Sequence, residues 1–406
     1  VAKGAIPEID DLRGLAFLGV VLQHTLGIFL RRPDVHIGDV ITLAIVFNLV
    51  KFAVPMFVFI TGIVLFYNYG ERLKYGQFLG KRFREIMVPY FFWTLIYVAD
   101  AIWISGDPAI GAGAVERLRY FLKALLTGTG CYHLWFVVMI FQFYLFFPLF
   151  RQGWLAIGPR LTTSRQGLAW ILGLAVGYLL LMWLSVDMIP LWSERWAGWR
   201  AWQLFADYRD RNLLFWFFYF ILGGIVGMYI DQWRAWAERY AFGNLGIGLV
   251  LFLIVTYPLV GSLSFGANGP GVPAVDINVS TTLKPTMALY SVSMLILLYA
   301  ASRAWQTQVR WSGALKALGR HSYGAYLMHA LALDYVARVV IRFLPVLNPV
   351  LKMFVAFGFC TAVAYGGSLL LSRLPGGHWL VGTGGRRRMM PPVAVGEPVD
   401  SLSIKS

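Results

Sequence analysis

Charge is scarce in this chain and cysteine scarcer. Asp, Glu, Lys and Arg make up only 14% of 406 residues. The two cysteines, Cys131 and Cys360, are too few and too far apart for a disulfide framework or a metal-ligand spacing. A small disulfide-stapled fold is therefore excluded, and no metal is expected. Internal repeats and any stretch resembling a separate soluble catalytic domain are also missing. Acidic residues are the scarcer sign, 20 against 35 Lys and Arg, for a formal charge of +15. Hydrophobic residues fill the space that charge leaves: they are 58% of the chain, and the mean hydropathy is +0.65. A soluble domain of this size does not have that composition, so the chain reads as an all-α polytopic membrane protein. The residues ahead of the first apolar run are acidic rather than basic, so no cleavable leader is expected there.

Apolar runs of spanning length fall near 13–30, 40–67, 86–105, 133–150, 167–186, 212–230, 243–260, 283–302, 321–343 and 349–371. About ten transmembrane helices follow, with both termini on one side. Placing that side in the cytoplasm puts most Lys and Arg inside, as topology rules require. The basic excess is then a topology signal, with room for an anionic ligand at the inner face, and no nucleic acid is expected. Residues 1–374 form one transmembrane domain, and 375–406, rich in Gly and Pro with Arg386, Arg387 and Arg388, read as a flexible cytoplasmic tail near lipid headgroups. The amphipathic segment 115–127 reads as an interfacial helix broken at Gly128. Two loops on the far side stand out. Residues 187–211 carry Trp192, Trp196, Trp199 and Trp202, as an interfacial aromatic belt or as a sugar platform. Residues 261–282 read as a mobile polar cover.

Few titratable groups lie inside these runs, and each can be weighed singly. Ten residues separate Arg13 from His24. That eleven-residue step is three helical turns plus about 20°, so both side chains share a face about 16 Å apart along the axis. With Arg13 at one membrane surface, His24 lies near the midplane, where an ionisable group is costly and usually functional. A neutral imidazole there suits a general base or an acyl acceptor. Arg82 and Arg84, with Arg13, stand at the expected inner surface, where guanidinium groups suit phosphates as well as topology. Asp10 and Asp11 read as helix-start residues. His133 and Trp135 open the fourth run from the far side, as interfacial anchors or as groups that orient substrate. The ninth run begins with Arg320 and His321, followed by Tyr323, Tyr326 and, about 12 Å in, His329. Asp334 has Arg338 four residues on as an ordinary partner. Lys51 lies inside a run, four residues before Pro55, and no role follows for it from the sequence.

Taken in order, Asp10-x-Leu12-Arg13-Gly14-Leu15-Ala16 with His24, residues 57–65 after Pro55, 81–93, His133-Leu134-Trp135-Phe136 and 318–329 resemble the membrane acyltransferase 3 family over nearly the whole apolar chain. Asp11 stands where that family commonly has glycine, and Thr61-Gly62 where it commonly has Ser-Gly. The resemblance implies transfer of an acyl group, usually acetyl, from cytoplasmic acyl-CoA to a hydroxyl of a glycan or other acceptor across a bacterial plasma membrane. It implies Arg13 and His24 as the catalytic pair, with no metal. Arg13, Arg82, Arg84 and Arg320 are then expected at the donor, and His133, Trp135, Tyr323 and His329 at the acceptor. Some relatives carry an added hydrolase-like relay domain; none is seen in these residues, so a separate relay protein or a homo-oligomer is an expected alternative to acting alone. The rival class is a glycan exporter or flippase, in which embedded His, Asp and Lys line a path and no bond is made.

Overall fold

The computed structural model describes residues 4–382, apart from 71, 108, 109, 112, 162–164, 307 and 308. In chain order its α-helices are α1 (Glu8–Phe29), α2 (Ile37–Leu49), α3 (Ala53–Tyr69), α4 (Tyr75–Arg82), α5 (Val88–Trp103), α6 (Ala114–Thr127), α7 (Trp135–Leu161), α8 (Arg165–Trp183), α9 (Ile189–Arg195), α10 (Arg200–Asp207), α11 (Phe217–Met228), α12 (Ile230–Arg239), α13 (Ala241–Gly261), α14 (Pro285–Trp305), α15 (Val309–Phe343), α16 (Pro349–Arg373) and α17 (His378–Val381). One small antiparallel hairpin, β1 (Ser264–Gly266) with β2 (Gly269–Ala274), interrupts them. Among the described residues, nine helical stretches are long and apolar enough to cross a membrane. The protein is thus an all-α polytopic membrane protein.

The predicted run at 212–230 departs from the expectation. Its helix, α11, has 12 residues, about 18 Å of rise against a bilayer core of about 30 Å. The missing turns are captured by side chains. Gln142 on α7 donates to the Arg211 carbonyl at 2.6 Å and accepts from the Leu213 amide at 3.2 Å. Asn212 accepts from the Leu214 amide at 3.0 Å. These bonds satisfy backbone groups that a longer helix would have paired within itself. The run at 40–67 is also divided, at 50–52. Pro55 has no amide hydrogen to give the Lys51 carbonyl, and the chain there turns through tight bonds from Lys51 to Asn48 and from Ala53 to Val50.

Helix α1 packs chiefly against α15, and also against α2, α3, α14 and α16. Two glycines on this seam allow the backbones to meet. A Cβ on Gly14 would lie 2.4 Å from the Leu315 carbonyl oxygen, and one on Gly319 would lie 1.8 Å from that of Asp10. The acids at the start of α1 bind neighbours instead of capping the helix, whose N-cap is Pro7 with no side-chain cap bond. Buried Glu8 takes both Nε and Nη2 of Arg234, at 2.8 and 3.1 Å, and Nη1 of Arg303 at 3.3 Å. Asp11 accepts from Gln306 at 3.1 Å. Desolvation inside a packed bundle makes such pairing obligatory.

At the opposite end of α1, residues 261–282, read in the sequence as a mobile polar cover, carry the β1–β2 hairpin and pack over the end of the helix. Asn268, at the hairpin turn, donates to the Leu30 carbonyl at 3.0 Å. Beside it, Arg32 holds Asp34 at 2.6 Å through Nε, and the same hydrogen-bonded guanidinium keeps the Asp34 carboxyl below its usual range. The amphipathic segment does form a separate helix, α6, closed by Gly128 at φ +70°. The packed chain also runs past Leu374: α17 docks on α5, and Trp93 Nε1 donates to the Leu380 carbonyl at 2.8 Å. Residues 383–406, with Arg386 to Arg388, lie outside the described residues.

Candidate active site

Three imidazoles meet in the core between α1, α5 and α15. His24 comes from α1, His133 from the turn that leads into α7, and His329 from the middle of α15. The His24 and His329 rings lie 5.4 Å apart and nearly parallel, at 29°. His133 stands edge-on to His329, with centroids 4.6 Å apart and planes at 70°. Tyr132 closes over His24 at 4.6 Å and is 53% exposed, so it forms the outer wall of the cluster. His24 itself keeps part of its surface accessible, whereas His133 and His329 are buried.

A backbone bond fixes the His329 ring from behind. His329 Nδ1 lies 2.5 Å from the Tyr326 carbonyl, three residues earlier on the same helix. A carbonyl only accepts, so Nδ1 carries the hydrogen, and in the neutral ring Nε2 keeps its lone pair. That Nε2 is buried with no hydrogen-bond partner, as are both nitrogens of His133. The Tyr326 hydroxyl donates to the His133 carbonyl and ties α15 to the turn before α7. Tyr97 on α5 donates to the Leu327 carbonyl at 2.8 Å and presents its ring edge to His133 at 5.4 Å.

Lys51 gains a place that the sequence did not assign. It is buried, its Nζ lies 4.1 Å from the centre of the Phe47 ring, and it is near enough to His24 to act on it electrostatically. Among the described residues no carboxylate lies within 4.0 Å of that ammonium to form an ion pair. Cys131, one residue before Tyr132, is a free thiol. Burial pushes it up to about 12, so at neutral pH it is no thiolate nucleophile. Asp334 pairs with Arg338 at 2.6 Å. Among the described residues no group of three or more His, Cys, Asp or Glu is disposed to hold a metal ion.

The expected donor-site arginines lie toward the other end of α1. Arg13 pairs with Asp10 at 3.7 Å, on the same stretch of α1 that meets Leu315 and Gly319 of α15. Arg320 is exposed just beyond that contact. One turn further, the Tyr323 hydroxyl donates to the Ile86 carbonyl at 2.7 Å, which brings in the basic segment that carries Arg82 and Arg84. Between α4 and α5 this segment winds as a π-helix, Phe83–Met87, because Pro89 cannot return an amide to the Glu85 carbonyl. Arg82 pairs with Glu85 at 3.3 Å and spreads over the Tyr144 ring at 5.4 Å, while Arg84 is exposed.

Along the helix axis, His24 is about 24 Å from Glu8 and about 8 Å short of Phe29. It is therefore nearer the far end of α1 than a midplane position implies. The predicted residues divide accordingly. His24, His133 and His329 come together, and Tyr323 stays with the arginine end. Trp135 leaves the cluster, because its ring packs on Trp216 at 5.7 Å in the neighbouring core. Tyr97 and Tyr132 were missed. Tyr132 adjoins His133 in the sequence, but nothing in the α5 sequence marks Tyr97.

A search of curated proteins and one of solved structures find no match. A family model described as an acyltransferase domain matches residues 6–373, a range that contains both the arginine end and the three imidazoles. The chain belongs to the acyltransferase 3 family and is a membrane-embedded acyltransferase.

Proposed function

We propose that this protein transfers an acyl group, most simply acetyl, from acyl-CoA at the arginine-rich end of the bundle to a hydroxyl that arrives at His24 from the opposite end. One observation carries the reading: a permanently charged end and a partly open imidazole lie on one helix, about 16 Å apart between Arg13 and His24. That is the reach of an extended pantetheine arm. Arg13, Arg82, Arg84 and Arg320 supply the donors suited to the coenzyme phosphates. The excess of Lys and Arg at that end supports its assignment to the cytoplasm, and hence placement in a bacterial plasma membrane with a glycan of the cell envelope as acceptor. His133 and His329 line the acceptor side.

Two routes are open to an imidazole at the thioester carbon. His24 either takes the proton of the attacking hydroxyl or takes the acyl group and passes it on. Lys51, buried and within electrostatic reach of His24, is the candidate donor to the oxygen on which negative charge builds in either route. Delivery is to the acceptor directly or through a separate relay protein or a second copy of the chain. The family membership favours this reading over an exporter, which has no use for a thioester.

Acyl-CoA at a hundred times its Kd is expected to stabilise the purified protein by about 2.7 kcal/mol, visible as a rise in Tm. Arg13→Ala is expected to remove most of that rise at the same ligand concentration. An unchanged Tm in the wild-type protein at saturating acetyl-CoA, across chain lengths of the acyl group, would leave the exporter as the better reading.

A further inference from the structure

We infer that His329 is the base of the transfer step, its Nε2 taking the acceptor's hydroxyl proton while His24 carries the acyl group; this rests on the function proposed above. The two rings face one another at 5.4 Å and 29°. Imidazoles hydrogen-bond through their edges, so rings in this posture do not orient one another, and each is free to act on a substrate separately. Their surroundings divide the roles. His24 is only partly buried, the more accessible of the two rings. His329 is enclosed, and its Nδ1–H is committed to the Tyr326 carbonyl at 2.5 Å. That bond fixes the tautomer and leaves the Nε2 lone pair as the basic edge, buried and unpartnered. An ordinary core histidine satisfies both nitrogens; this one satisfies the nitrogen that sets its orientation and leaves the reactive one unbonded. Tyr132, half-exposed, lies over His24 on its outer side.

The steps balance without any further reagent. A ring nitrogen of His24 bonds to the thioester carbon, the carbon–sulfur bond breaks, and the ring proton leaves with the thiolate as free thiol. The acceptor oxygen then bonds to the acyl carbon of the neutral acyl-imidazole, and the carbon–nitrogen bond breaks. The hydroxyl proton passes to His329 Nε2 and from there through solvent to the departing His24 nitrogen, so both imidazoles end neutral, His24 with its proton on the nitrogen that carried the acyl group.

His329→Asn tests this, because an asparagine amide still donates to the Tyr326 carbonyl but offers no base in the place of Nε2. Membranes of cells expressing the full chain, which hold the native acceptor, are incubated with labelled acetyl-CoA, and label is followed in the acceptor fraction and on the protein. The Asn variant is expected to label acceptor at least about a hundredfold more slowly than wild type, and to retain label on the protein. A His24→Ala/His329→Asn double variant is expected to lose that protein-bound label. Wild-type acceptor labelling in His329→Asn would overturn the assignment. So would loss of both signals while acetyl-CoA still raises the variant's Tm, because the first step needs no His329. No transfer by wild-type membranes would instead overturn the functional reading itself.

Discussion

His24→Ala is expected to lower acyl transfer by roughly 10²- to 10⁴-fold, the range typical of removing a positioned proton-transfer group, and by more where the residue carries the acyl group. The same change is expected to leave the protein folded. The His24 ring is held by its faces, against Tyr132 at 4.6 Å and His329 at 5.4 Å, and contacts of that kind contribute about 1 kcal/mol each. Acyl-CoA binding is expected to survive, since the arginines that suit its phosphates lie some three turns away along α1. Rate measurements on the purified variant, with Tm recorded with and without acetyl-CoA, separate these effects. Wild-type transfer by folded His24→Ala protein would remove His24 from the chemistry.

A large effect on stability is expected at a glycine. Helix α11 lies so close to α3 that a Cβ on Gly223 would sit 2.0 Å from the Phe59 carbonyl oxygen, and one on Gly227 would sit 2.5 Å from that of Ile63. From the other side, a Cβ on Gly62 would meet the Phe220 carbonyl at 2.2 Å. These are backbone atoms of packed helices and have nowhere to go. Small residues four apart allow such approach where membrane helices lack a hydrophobic drive to associate. Gly223→Ala is therefore expected to cost about 3 kcal/mol, at the upper end for overpacking by one methyl. Gly246→Ala on α13 meets nothing within 4 Å, and the same substitution there is expected to leave Tm unchanged or slightly raised. Thermal unfolding of both variants in detergent makes the comparison. Equal Tm values would mean that α3 and α11 are not packed as described.

These two cases show where the sequence speaks and where it is silent. Apolar runs reveal most spans because a bilayer demands length, and length is visible in a one-dimensional string. They fail at 212–230, because the helix start there is cut back by Gln142, a residue seventy positions away in the chain. The Arg13 to His24 register needed only helical geometry. His329 was visible as a buried titratable residue, but its tautomer depends on a backbone carbonyl, which no side-chain pattern shows. Trp135 diverges for a related reason: two residues after His133, which meets His329, its ring turns toward Trp216 instead. Asp10 and Asp11 read as helix-start residues, whereas Glu8 drew no reading, and only the packing of α12 and α14 shows it as an anchor for Arg234 and Arg303.

Transfer across the bilayer is the use proposed for the separation of the two ends, and sealed vesicles measure it. Purified protein is reconstituted in one orientation, labelled acetyl-CoA is supplied only at the arginine-rich face, and the hydroxylated acceptor only at the opposite face. Label is expected to appear in acceptor on the far side in wild-type vesicles and to be absent with His24→Ala, with no labelled coenzyme leaking across. Label confined to acceptor on the donor's own side would contradict passage of the acyl group along α1 to His24.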